Sequence, residues 1–174
     1  MRTAKLCMLL FWTIIIHSPY VLAGESDEYT LKAAFLYNFA AYTTWPDSHI
    51  DTFNLCIYGS DPFGSNLDFL LKKKKINERT ITIRRTSSID HLDQCQLVFI
   101  SNSATNHLTK IIGALEDKPV LTVADSPGAN QLGVALNMAI KEDKVTFIAN
   151  LNRARKAGLS LSAQLLRFAT EVHQ

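Results

Sequence analysis

Glycine is scarce, with seven residues in 174, and the glycines present do not build a phosphate cradle. One stretch invites that reading: FNLCIYGSDPFGSNLDFLL (53–71), a strand-like run, a glycine turn and a helix-like run. A P-loop requires Lys and then Ser or Thr after its second glycine, whereas Gly64 is followed by Ser65 and Asn66. The dinucleotide fingerprint requires three glycines; only Gly59 and Gly64 are here, and Asp61 sets a carboxylate where a phosphate belongs. Asp61–Pro62 instead matches a helix N-cap followed by proline at the first helical position. Catalytic signatures are missing too. There is no H-E-x-x-H, no histidine pair at i, i+4 and no G-x-S-x-G elbow. Ser101, His107 and Asp125 fall near expected strand ends, where open α/β sheets bind ligands. Their spacing defines no triad, because a triad is a matter of geometry.

A long apolar run is also absent. MLLFWTIII (8–16) is only about ten residues, short for a bilayer. It follows Arg2 and Lys5 and precedes Pro19, with Val21 and Ala23 at the small-residue positions before a cut. This is the layout of a cleaved export signal over residues 1–23, with an uncleaved anchor as the alternative. The expected product is a periplasmic protein whose mature domain is 24–174. The leader takes two of the 18 basic residues and none of the 16 acidic ones, so the mature chain carries 16 of each. That balance removes the basic footprint of a nucleic-acid binder.

Cysteine is nearly absent. Cys7 leaves with the leader, and Cys56 and Cys95 remain in an oxidising compartment, where one bridge is favoured over two buried free thiols. Two distant cysteines with no histidine nearby make no zinc site, and no cofactor motif is present.

What remains is patterned for an α/β domain. DEYTLKAAFLYNFAAYTTWP (27–46) reads as a helix whose apolar stripe is Leu31, Phe35, Phe39 and Tyr42, extended by Trp45. Leu36, Tyr37, Ala40 and Ala41 widen that surface, so the helix is either deeply buried or also meets another subunit or protein. Strands are expected in 53–59, 79–86, 96–101 and 119–125, helices over 63–71 and from 104 to 116, and a hairpin from 133–140 and 144–150. A short helix follows Asn150, and Ser160 is placed to cap a last helix with Leu161, Leu165, Phe168 and Val172 on its apolar side. The fold class is thus α/β: a three-layer-like domain with a mainly parallel sheet, an added C-terminal hairpin and flanking helices. KKKK (72–75) reads as a solvated turn beyond a helix end. Contact with anionic lipid headgroups is the alternative, unsupported by any other sequence feature.

Five segments together resemble the YfiR-like family of periplasmic proteins: LKAAFLYNFAAYTTWP (31–46), LCIYGSDPFG (55–64), QCQLVFIS (94–101), PVLTVADSPG (119–128) and VTFIANLNRARKAGLSLSAQLLRFATEV (145–172). The resemblance implies a compact, often dimeric α/β domain without catalytic activity. It implies a repressor that binds the periplasmic sensor region of an inner-membrane diguanylate cyclase, with cyclic di-GMP and biofilm formation downstream. An outer-membrane lipoprotein is then a second partner, sequestering the repressor. Cys56 and Cys95 match the family's disulfide across the first and third strands; the family's second bridge has no counterpart here. The chain departs from the family at Phe147-Ile148-Ala149-Asn150, which lacks an acidic residue, at Gly128-Ala129-Asn130, which lacks an aromatic, and at Leu132-Gly133, where a glycine pair is expected. The expected partner contacts are Phe35, Phe39, Tyr42 and Trp45 on the first helix, and Ile148, Asn150 and Arg153 after the hairpin. The rival function is a small-molecule-binding or sensing module with its pocket at the strand ends.

Overall fold

The computed structural model describes residues 23–46 and 51–174. Most of the expected leader, residues 1–22, lies outside them. Helix α1 (Ala23–Ala41) leads into a two-residue strand β1 (Thr43–Thr44), and then comes β2 (Thr52–Tyr58). Next are α2 (Ser65–Leu71), β3 (Lys75–Ile76), β4 (Arg79–Thr86), β5 (Leu97–Ile100), α3 (Leu108–Ala114) and β6 (Leu121–Ala124). The hairpin β7 (Leu136–Lys141) and β8 (Lys144–Asn150) precedes α4 (Leu151–Lys156), β9 (Ser160–Leu161), α5 (Ala163–Leu166) and β10 (Glu171–His173).

Eight strands form one curled, mainly parallel sheet in the order β10-β8-β7-β6-β5-β2-β4-β3, and β1 pairs antiparallel with β9 in a separate small sheet. Strands β4, β2, β5, β6 and β7 run parallel to one another, which is the 2-1-3-4-5 order of a doubly wound sheet, while β3 and β8 flank them antiparallel. The apolar runs explain the centre: every residue of β5 and β6 is buried, as expected for parallel strands covered on both faces. Alternate residues feed two cores. Phe53, Leu55, Ile57, Phe99 and Val123 face α1 and α2, whereas Tyr58, Val98, Ile100 and Ala124 face α3. The β4 pattern RTITIRRT keeps Ile81 and Ile83 half-buried and leaves Thr80, Thr82 and Arg84 exposed, so this side of the sheet is thinly covered.

Cys56 on β2 is bonded to Cys95, which stands just before β5, with Cα atoms 6.0 Å apart. The bridge expected from the resemblance is therefore present, pinning β2 to the segment that enters its neighbour.

Three local expectations change. The first helix stops at Ala41 rather than near Pro46. The β-branched Thr43 and Thr44 turn extended and pair with Leu161 and Ser160, and Thr43 Oγ1 donates to Phe39 O at 2.6 Å. The last helix is a single turn capped by Ser162, not Ser160, and the chain closes as a strand, with Glu171–His173 parallel to β8. Asp61 does not cap α2, which starts at Ser65. Its Oδ1 instead accepts from Phe63 N at 2.8 Å in a tight Asx turn.

Candidate functional site

The GSDPFG turn is tied down by protein groups. Arg85 donates from Nε to Asp61 Oδ2 at 2.6 Å and from Nη2 to Asp68 Oδ2 at 2.5 Å and Gly64 O at 3.1 Å. These bonds hold the Asp68 carboxyl below the usual carboxylate range, so the turn meets its own cation and presents no phosphate site. Gly59 has φ +93°, and a Cβ there would lie 2.9 Å from Ser103 Oγ. The glycine is required by the turn and by the close approach of Ser103.

Ser101, His107 and Asp125 do not converge. Ser101 Oγ bonds Ser103 Oγ at 3.1 Å, and His107 Nδ1 bonds the Tyr58 hydroxyl at 3.0 Å. Asp125 is turned to the other face, toward α1. There its Oδ2 accepts from Lys32 Nζ at 2.7 Å and from the Tyr29 hydroxyl at 3.0 Å. Lys32 also meets Glu28 one turn earlier at 2.5 Å and lies 4.5 Å from the centre of the Tyr29 ring. The Lys32 and Asp125 side chains are only 5% and 2% exposed, so this is an interior ion pair fixing α1 to the end of β6. Burial and then the negative Asp125 push the Tyr29 phenol up to about 12. Burial works to lower the Lys32 pKa, but its bonds to Asp125 and Glu28 outweigh that and raise it.

With α1 anchored this way near its start, a groove forms further along the helix, toward its C-terminal end. Phe35 and Phe39 of α1, with Tyr42 just past its end, face Val145 and Phe147 of β8, and Leu165 and Phe168 close the far wall around about 430 Å³. The floor is three phenylalanines packed edge to face, with Phe39–Phe147 centroids 4.9 Å apart and Phe35 at 5.8 and 6.2 Å from them. Asn38 and Gln164 supply the polar groups of the lining, and Gln164 Nε2 donates to the Tyr42 hydroxyl at 3.3 Å. Among the described residues no charged side chain lines it. Phe168 is 72% exposed and Tyr42 38%, so the apolar rim is open to solvent.

The structure separates the expected contact residues. Phe35 and Tyr42 reach the groove surface, and Phe39 is wholly buried beneath it. Trp45 is turned inward, its Nε1 donating to Gln96 O at 3.1 Å and its ring against Phe53 at 5.1 Å. Ile148 lies beside Phe147 on β8 and so points to the opposite face, paired with Glu171 and Asn137. Asn150 caps α4 by accepting from Arg153 N at 2.9 Å. Arg153 is buried, and its Nη2 donates to Leu115 O at 2.9 Å and Ile112 O at 3.3 Å, closing the C-terminal end of α3. Arg153→Ala is accordingly expected to destabilise the fold by about 2–3 kcal/mol, measured as a shift of the urea midpoint. Arg153, Trp45 and Asn150 thus each bond to other parts of the fold. Asn38, Val145, Phe147, Gln164, Leu165 and Phe168 complete the groove, and none of them is among the contacts expected from the sequence. Phe168 stood on the apolar side of the expected last helix, and its exposure depends on that helix ending early.

A second depression, about 360 Å³, opens at the carboxyl ends of β2 and β5, lined by Tyr58, Ser60, Ser87, Ser103 and His107. The crossovers from β2 and β5 leave on opposite faces here, so it occupies the topological switch point of the sheet.

These features define a small α/β domain with an uncharged aromatic groove on one side of a doubly wound sheet. The chain belongs to the YfiR/HmsC-like family, whose model matches residues 29–170. No curated protein matches it in sequence. A conserved domain protein of Vibrio cholerae has a similar structure, with a TM-score of 0.54 at 9% identity over 82% of this chain and 60% of that one. The ABC domain in complex with L-Trp from Streptococcus pneumoniae gives 0.51 at 8% identity over 70% and 55%. The chain thus spans little more than half of those two proteins, and the likeness is one of fold.

Proposed function

We propose that this is an exported regulatory binding protein that restrains a membrane-bound diguanylate cyclase by contact with the cyclase's periplasmic sensor region. Cleavage after Ala23 would release residues 24–174 to the periplasm, and cyclic di-GMP and biofilm formation would be the readouts. A second copy of the chain and an outer-membrane lipoprotein are further partners in the same reading. What carries it is the open, uncharged aromatic groove in a chain of the YfiR/HmsC-like family. Exposed aromatic side chains around a desolvated floor are the usual anchors of protein contacts. Among the described residues no helix is long and apolar enough to cross a membrane.

Deleting the gene is expected to raise cellular cyclic di-GMP under envelope stress; an unchanged level counts against control of a cyclase. Phe168→Glu is the sharper variant, because Phe168 is 72% exposed. It is expected to raise cyclic di-GMP as the deletion does while changing folding stability by no more than about 0.5 kcal/mol. A normal cyclic di-GMP level in that variant moves the contact away from the groove.

The second reading, a small-molecule-binding module, is favoured by the depression at the switch point of the sheet. Thermal-shift screening of the purified protein separates the two, since a specific ligand raises the melting temperature.

A further inference from the structure

The face around α2 is unlike the groove. Phe69 is 85% exposed, more than any other large apolar side chain described, and residues 72–75 are four consecutive lysines. Phe69, Leu70 and those lysines surround, with Tyr37 of α1, one shallow depression of about 530 Å³. The ammonium groups are poorly compensated by protein. Lys75 meets only the exposed Glu78 at 3.5 Å, and Lys74 lies 4.8 Å from the Tyr37 ring. Asp68, the nearby acid on α2, is already held by Arg85 at 2.5 Å. Among the described residues no carboxylate pairs with Lys72 or Lys73.

The whole chain has a net charge of only +2, so this is a local concentration of positive charge. An acidic protein partner is met by an aromatic anchor seated in a pocket. Here the aromatic ring projects outward from a ring of ammonium groups, an arrangement that suits the boundary between lipid headgroups and acyl chains. We propose that this face docks on an anionic phospholipid surface. Phe69 inserts at the headgroup boundary, and Lys72–Lys75 pair with lipid phosphates. The docking does not depend on the cyclase reading; if both hold, it keeps the protein at the membrane where such a partner sits.

The test is co-sedimentation of the full chain with vesicles of phosphatidylcholine alone or containing phosphatidylglycerol, at low and physiological salt. All variants share the same N-terminal apolar run, so differences between them isolate the face. Binding to the anionic vesicles is expected to fall roughly 25-fold in the Lys72→Ala/Lys73→Ala variant, at about fivefold per lysine. It is expected to weaken in Phe69→Ala and with added salt. Arg155→Ala/Lys156→Ala, an exposed basic pair on α4, is expected to bind as the parent does. Equal binding to both vesicle types, or an equal loss in the α4 variant, overturns the proposal. So does absence of vesicle binding alongside lysine-dependent binding to poly-glutamate, which assigns the face to an acidic protein.

Discussion

Replacing Lys32 with methionine is expected to destabilise the protein by about 3–5 kcal/mol, the cost of leaving a buried charge without its partner. Asp125 is the charge left behind: its side chain is 2% exposed, and Oδ1 already has no hydrogen-bond partner. Without Lys32, the Tyr29 hydroxyl is the hydrogen-bond partner left to Oδ2 among the described residues. Asp125→Leu should cost a similar amount, since Lys32 then keeps only the partly exposed Glu28. The double variant Lys32→Met/Asp125→Leu is expected to recover most of the loss, because an apolar pair of similar volume replaces an ion pair that was costly to desolvate. Urea midpoints of the four proteins give the coupling directly; a double variant as unstable as the sum of the singles would remove the pair from the account. The same cluster sets an alkaline limit. A raised Lys32 pKa means that its contribution is complete below the free-lysine value, near pH 10, and is lost as pH rises through the folded value. The Tyr29 phenol, pushed up to about 12, acts in the same direction because ionising it is harder in the folded state. Stability is therefore expected to decline from roughly pH 10 to 12, and Tyr29→Phe should remove the phenol's part of the decline.

The second large effect belongs to the disulfide. Replacing Cys56 and Cys95 together with serine opens a 39-residue loop. This should lower stability by about 3–4 kcal/mol on the chain-entropy model. For a chain of this size that corresponds to a melting temperature lower by roughly 10 °C. Both cysteines are at most 2% exposed. Reductant should therefore act slowly on the native protein and quickly once urea has opened it. Fully reduced parent protein should then unfold near the double variant, and a coincident midpoint for oxidised parent and variant would dismiss the bridge as a stabiliser.

The centre of the fold was legible because each of its strands is a short apolar run between turn signals, and burial on both faces leaves such a run little choice. The chain ends were harder. Tyr42 and Trp45 continue the helical stripe of α1, but Thr43 and Thr44 are β-branched and find a partner at Leu161 and Ser160, far away in sequence. Leu161, Leu165, Phe168 and Val172 likewise fit a helix by spacing. The neighbouring β8 edge instead draws Glu171–His173 into the sheet, and tertiary pairing overrides a local period. The groove suffered the same fate. Its Phe35, Phe39 and Tyr42 wall was visible as excess apolar surface, whereas the opposing wall depends on where the last helix stops. The Lys32–Asp125 pair spans 93 positions, and no pattern along the chain announces it. Arg153 is expected at a contact surface by its position after the hairpin; here the carbonyls of Ile112 and Leu115, at the end of α3, draw it inside.

The small sheet between Thr43–Thr44 and Ser160–Leu161 has a consequence in time. A chain made from its N-terminus has α1 early, but the clamp that holds α1 against the far wall arrives only with the last residues. The residues of the Cys56–Cys95 bridge, of the strands around it and of the aromatic floor all precede that clamp in the chain. The groove's far wall, Leu165 and Phe168, is thus the last part of it to be synthesised. A polypeptide cut short before Ser160 lacks both that clamp and the groove's far wall.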